Sequence, residues 1–303
     1  MAKALEVSIP TVHRLLAALD PAIVAGGKAR RARYAARRLL RGRSSPIPLF
    51  EIDQLGNSRR VSELALVRPQ GSFMDLSGAG LPVPEGSRDG WWDGLPYPLA
   101  DMRPQGYMGR QLAQLEHRAL SVSSDPREWS DDDVCVVLSK AGVDLSGSFI
   151  LGEQAFERWL RRREEPPAPT RESHLPSTYV ELAESALSSG IAGSSAAGEF
   201  PKFTALRDLP GAPTPHVLVK FSGANNSAAV PRWSDLLVCE HLALEAAANV
   251  ADLECSRSRI ICAGGRTFLE SERFDRHGMF GRSRLVSLDV INGAFVGAST
   301  SDW

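Results

Sequence analysis

The chain has 303 residues, enough for about two domains, and its apolar fraction of 43% with 23% charged side chains is ordinary for globular protein. No apolar run approaches the roughly 18–20 residues of a membrane-spanning helix, and Glu6 falls where a secretory leader would build its apolar segment, so the sequence reads as cytoplasmic. The net charge of −1 conceals a split: residues 1–43 hold ten Lys/Arg against Glu6 and Asp20, a balance of +8, whereas the remainder has 25 basic and 34 acidic side chains. That split implies a basic module for a polyanion joined to an acidic body. Cys135, Cys239, Cys255 and Cys262 have no CxxC spacing and sit in apolar or mixed runs, which suits buried reduced thiols, and the six histidines form no metal-ligand pattern.

The opening stretch AKALEVSIPTVHRLLAAL places apolar residues on helical faces, interrupted at Ser8–Pro10. Ser8 can cap a new helix with Pro10 in its first turn. A short helix, a turn at Val7–Ser8 and a second helix with Thr11, His13 and Arg14 outward make a helix-turn-helix pattern, similar to the second and third helices of a winged-helix domain. GGKARRARYAARR would be the wing, with a strand around Tyr34. Ser8, Thr11, His13, Arg14, Lys28, Arg30, Arg31 and Arg33 are then the candidates for contact with duplex DNA, since phosphate binding needs clustered Lys/Arg. The plainer alternative is an amphipathic helix with a solvated basic face. Met1 falls inside the second helix of such a domain, so the winged helix is expected to lack its first.

Residues 44–48 read as a linker, and LFEIDQLGNSRRVSELALVRPQGSFMDL as short strands with a turn at Leu55–Gly56–Asn57. In GLPYPLADMRPQGYMGR the prolines and glycines fix chain direction while Tyr97, Met102, Tyr107 and Met108 pack; a ligand site at Arg103 or Arg110 is the alternative. Asp131, Asp132 and Asp133 suit the first turn of a helix, where they complement its dipole, with a metal site as the alternative. Ala155–Arg163 is helical, residues 164–170 form a Pro-rich linker, and Pro176–Leu187 is a further helix.

The run from Gly193 to Lys220 carries the chemistry. Small residues in Ser194–Lys202 let backbone N–H groups approach phosphates, and Lys220, on a strand with Val217 and Val219 on one face and Leu218 and itself on the other, supplies a point charge. Trp233–Ala248, with Ser234 as cap, is a helix whose Glu240 or Asp235 could pair with that lysine. RTFLESERFDR follows at 266–276.

In this order of elements the chain resembles the HipA family of bacterial toxin kinases, most closely its YjjJ-type branch, which carries its own DNA-binding domain. The resemblance implies an ATP site formed by Ser195, Ala196, Ala197, Gly198, Glu199, Lys202 and Lys220, with Glu272 and Phe274 at a hinge that holds adenine. Ala197 and Phe200 stand where family loops often have Gly and Gln. For intact relatives it also implies transfer of the ATP γ-phosphate to a protein serine and self-phosphorylation at the position of Ser195 or its neighbour Ser194, with Mg²⁺ expected here only if the missing lobe is supplied.

The family's catalytic Asp loop and metal-binding Asp lie beyond the hinge. After Arg276 this sequence offers Asp289, Asn292 and Asp302, so the chain is expected to be a truncated, catalytically incomplete kinase with no catalytic residue of its own and at most weak ATP binding. The alternative is a non-enzymatic DNA-binding regulator or antitoxin-like protein. The expected fold is α+β: a truncated winged helix-turn-helix over 1–43, a HipA-like N-terminal subdomain over 48–165, and a kinase small lobe with the start of the large lobe over 171–303.

Overall fold

The structure is a computed structural model that describes residues 5–20, 22–28, 31–42, 46–188, 200–225, 227–250 and 253–297. Helix α1 (Ile9–Ala18) begins where Ser8 Oγ accepts the Thr11 N–H at 3.3 Å, and Pro10 occupies the first turn, where no donor is needed. Leu5 and Glu6 form a turn, with Glu6 at φ 52°, so the expected preceding helix does not extend over them. Strands β1 (Ile23–Gly26) and β2 (Arg33–Ala36) form an antiparallel hairpin. It is fastened to the next unit: Arg37 bridges Val67, the Arg38 N–H donates to Leu66 O, and the Arg68 N–H donates to Ala36 O. Val24 is buried against Ala65 and Val67.

The first large sheet is antiparallel, with order β6-β5-β4-β3-β7, from β3 (Ile47–Ile52), β4 (Ser58–Leu66), β5 (Ser72–Phe73), β6 (Trp91–Trp92) and β7 (Phe149–Leu151). At the β3–β4 turn the Asp53 carboxylate accepts the N–H groups of Leu55 and Asn57 at 2.9 and 2.8 Å, and Gly56 takes φ 80°, a conformation that favours glycine. Helices α2 (Tyr97–Asp101), α3 (Gly106–Leu120) and α4 (Asp131–Ala141) share a core with one face of this sheet, including Leu49, Leu64, Met74, Leu99 and Leu138. Helix α5 (Glu153–Glu164) covers the other face through Ala155 and Trp159, against Ile52 and Ile150.

The second large sheet has order β11-β12-β10-β9-β8, from β8 (Thr170–Arg171), β9 (Lys202–Asp208), β10 (His216–Phe221), β11 (Ser258–Ala263) and β12 (Arg266–Glu272); β8 and β9 pair parallel and the others antiparallel. Helix α6 (Leu175–Ser188) buries Leu175, Tyr179 and Ala183 on Phe203, Val217, Val219, Phe221 and Phe268. Helix α7 (Ala229–Ala248) crosses the opposite face. It starts four residues before the expected Trp233 because Pro231 fits its first turn, which leaves Ser234 inside the helix rather than at its cap.

A short hairpin, β13 (Arg276–His277) and β14 (Gly281–Arg282), meets the β3–β4 turn so closely that a Cβ on Gly281 would stand 2.0 Å from Gln54 O. Helix α8 (Leu288–Phe295) returns to the first core: Val290, Ile291 and Ala294 pack on it, and Ser287 Oγ donates to Asp101 at 2.6 Å. The whole is a mixed α+β fold. Among the described residues no helix is long and apolar enough to cross a membrane.

Candidate functional site

Alternation along β10 buries Val217, Val219 and Phe221 under α6 and sends Leu218 and Lys220 to the α7 side. There Lys220 Nζ donates to Glu240 Oε1 at 2.5 Å. The two side chains keep 26% and 36% of their surface, so the ammonium is held in place yet partly open to solvent. Asp235, the other candidate partner, is exposed earlier in α7. Lys202 is the β9 register partner of Lys220, so both lysines leave the same face. The two lysines thus stand side by side on the sheet face that α7 crosses, with Lys220 held by Glu240. Ser194, Ser195, Ala196, Ala197, Gly198 and Glu199 lie outside the described residues, as does Arg30 of the basic segment.

The other face of the same strands holds a second charge network, which the sequence reading missed. Glu270, 1% exposed, accepts from Tyr179 Oη at 2.5 Å and from Arg259 Nε at 2.9 Å, and its Oε1 lies 2.7 Å from Arg207 Nε. Arg207 also donates to Glu272 Oε1 at 2.7 Å. Burial, reinforced by the negative charge of Glu270, raises the Tyr179 phenol far above its ordinary value. The Glu272 backbone is engaged as well: its N–H donates to Arg257 O at 2.9 Å and its carbonyl accepts from Ser256 Oγ at 2.5 Å. Phe274, by contrast, is 67% exposed.

The ERFDR arginines bolt the second sheet to the first unit. Arg273 Nη1 and Arg276 Nη2 donate to Asp144 Oδ1 at 3.0 and 2.8 Å, both arginines also bind Asp275, and the Gly147 N–H donates to Asp275 at 2.9 Å. Burial alone would raise the two carboxyl pKa values; the surrounding guanidinium groups bring Asp144 and Asp275 below the usual range instead. Burial and the nearby Arg276 push Arg282 down to about 9.

The aspartate run at 131–133 opens α4: Ser130 and Asp133 form a capping box. Asp131 pairs with Arg103 at 2.7 Å, Asp132 with Arg38 at 2.5 Å, and Asp133 with Arg41. Arg38 and Arg41 of the basic segment are thereby spent inside the molecule. Ser8 and Thr11 hydroxyls are 2.9 Å apart in the α1 cap, while His13, Arg14, Lys28, Arg31 and Arg33 are exposed. The thiols depart from expectation: Cys135 is buried and Cys255 half-buried, but Cys239 on α7 and Cys262 on the edge strand β11 are exposed. Among the described residues no three His, Cys, Asp or Glu side chains gather as a metal site.

Residues 43–160, which hold the first large sheet and most of its helices, match the family model of the YjjJ-like toxin middle domain. The resemblance is to a toxin. Over 301 residues the chain is 35% identical to Toxin YjjJ of Escherichia coli strain K12, an alignment that takes in 99% of this chain and 65% of that protein. The chain thus spans about two thirds of the length of the curated relative it matches, and the aligned stretch takes in both large sheets.

Proposed function

We propose that the chain carries the nucleotide-binding small lobe of a HipA-like toxin serine/threonine kinase of the YjjJ type, preceded by a DNA-binding winged helix-turn-helix. The Lys220–Glu240 contact at 2.5 Å carries this reading. A strand lysine held by a helix glutamate is the arrangement with which protein kinases position the ATP phosphates. Lys220 offers the charge, Lys202 lies beside it in register, and exposed Phe274 offers an apolar surface to adenine. Because the Glu272 backbone is occupied, Phe274 is the better placed of the two expected hinge residues. Bound ATP would supply the transferable γ-phosphoryl group, and Mg²⁺ its counter-charge; the role of Lys220 is to orient the phosphates. DNA binding rests on a capped helix followed by a basic hairpin.

Calorimetric titration with ATP tests the nucleotide part. Affinity is expected on the order of millimolar, about −4 kcal/mol, and reduced in Lys220→Ala. Equal affinity in the variant would remove Lys220, and with it the kinase reading of this face.

A further inference from the structure

Between strand β2 and the β5–β6 edge of the first sheet lies a cleft of about 360 Å³ whose lining includes Arg33, Tyr34, Arg68, Gln70, Trp91 and Asp93. Arg33 belongs to the basic hairpin and Arg68 to the unit that follows it. Backbone bonds lock the two parts together: the Arg68 N–H donates to Ala36 O at 2.9 Å, and the Arg37–Val67 bridge lies alongside. The neighbouring cations are engaged, since Arg38 and Arg41 pair with Asp132 and Asp133, Arg37 Nε donates to Ile23 O at 3.2 Å, and Arg31 lies 3.9 Å from Asp89. Arg33 and Arg68 are exposed and have no ion-pair partner among the described residues.

We infer that this cleft is a sugar–phosphate clamp for duplex DNA, which extends the nucleic-acid interface beyond the hairpin onto the middle unit. The inference rests on the DNA-binding reading above. Two guanidinium groups from separate units, held at one cleft by a shared backbone ladder, suit a phosphodiester, which guanidinium forks bind well. Tyr34 and Trp91 give the same cleft an apolar side for the sugar. Asp93 also lines the cleft, and its carboxylate would repel the anion.

Fluorescence anisotropy with a labelled duplex, recorded over a range of salt concentrations, tests this with the full chain. Each phosphate contact contributes about 0.9 to the salt slope, so losing one costs about eight-fold in affinity at 0.1 M salt. Arg68→Ala is expected to show that loss and a slope smaller by about one, Arg33→Ala the same, and Asp93→Asn tighter binding. Wild-type affinity and slope in Arg68→Ala, with a loss in Arg14→Ala, would overturn the clamp and leave the DNA-binding reading standing. Absence of salt-dependent binding by the unaltered chain would overturn both.

Discussion

Asp144 accepts hydrogen bonds from both Arg273 and Arg276, at 3.0 and 2.8 Å, across about 130 residues of sequence. Arg276 is 1% exposed and Arg273 10%, so these guanidinium groups depend on their carboxylates rather than on water. Removing one member of a buried ion cluster leaves an uncompensated charge, and that typically costs 3–5 kcal/mol. Asp275 remains as a second partner, and Asp144 itself keeps 31% of its side-chain surface, which places the cost at the low end. Asp144→Asn is therefore expected to cost about 3 kcal/mol in a urea melt, and a change below about 0.5 kcal/mol would show that the two sheets are held by other contacts.

The same carboxylate gives a pH signature. Its pKa is lower folded than unfolded, the net result of burial opposed by Arg273 and Arg276. A depressed carboxyl pKa stabilises above the unfolded value, about 3.9, and that contribution is lost as pH falls toward the folded value. The stability gap between the wild type and Asp144→Asn is expected to be full above about pH 5 and to shrink below about pH 4. A gap that is constant down to pH 3 would assign the effect to shape rather than charge.

Local chemistry was legible in the sequence; long-range pairing was not. Ser8 with Pro10, the turn at Gly56, the aspartates 131–133 in the first turn of a helix, and the alternation of Val217 and Val219 with Lys220 each follow from rules spanning fewer than six residues. The choice of Glu240 over Asp235 depends on where α7 crosses the sheet, a tertiary fact. Asp144 gave no local signal, because both its partners come from a strand end far along the chain. The net charge of residues 1–43 overstated the free basic surface, since Arg38 and Arg41 are consumed by α4.

The cysteines separate by environment. Burial, with the negative charges of Asp132 and Asp131, pushes the Cys135 thiol up to about 12, so it forms almost no thiolate at neutral pH. Cys239 and Cys262 are exposed and Cys255 half-buried. An aromatic disulfide reagent at pH 8 is expected to label Cys239 and Cys262 fast, Cys255 more slowly, and Cys135 only in denaturant. Fast labelling of Cys135 would mean that α4 opens readily from the first core.

Strands β10 and β12 carry two charge networks on opposite faces, and their responses to mutation should differ in kind. In register, Val219 faces Glu270 and Lys220 faces Leu269, so one residue's step passes from the α6 side to the α7 side. Glu270 is sealed with Arg207 and Tyr179; Glu270→Gln strips a carboxylate from buried Arg207 and is expected to cost about 3 kcal/mol, and Tyr179→Phe about 1.5 kcal/mol, the worth of a hydrogen bond to a charged group. Lys220 and Glu240 are partly solvated, where an ion pair contributes about 0–1 kcal/mol. Lys220→Ala and Glu240→Gln are thus expected to leave the urea midpoint nearly unchanged while lowering ATP affinity, the first by removing the charge and the second by releasing the lysine from its position. A large stability loss in both, with no change in ATP binding, would make Lys220–Glu240 a strut between β10 and α7 instead of a nucleotide site.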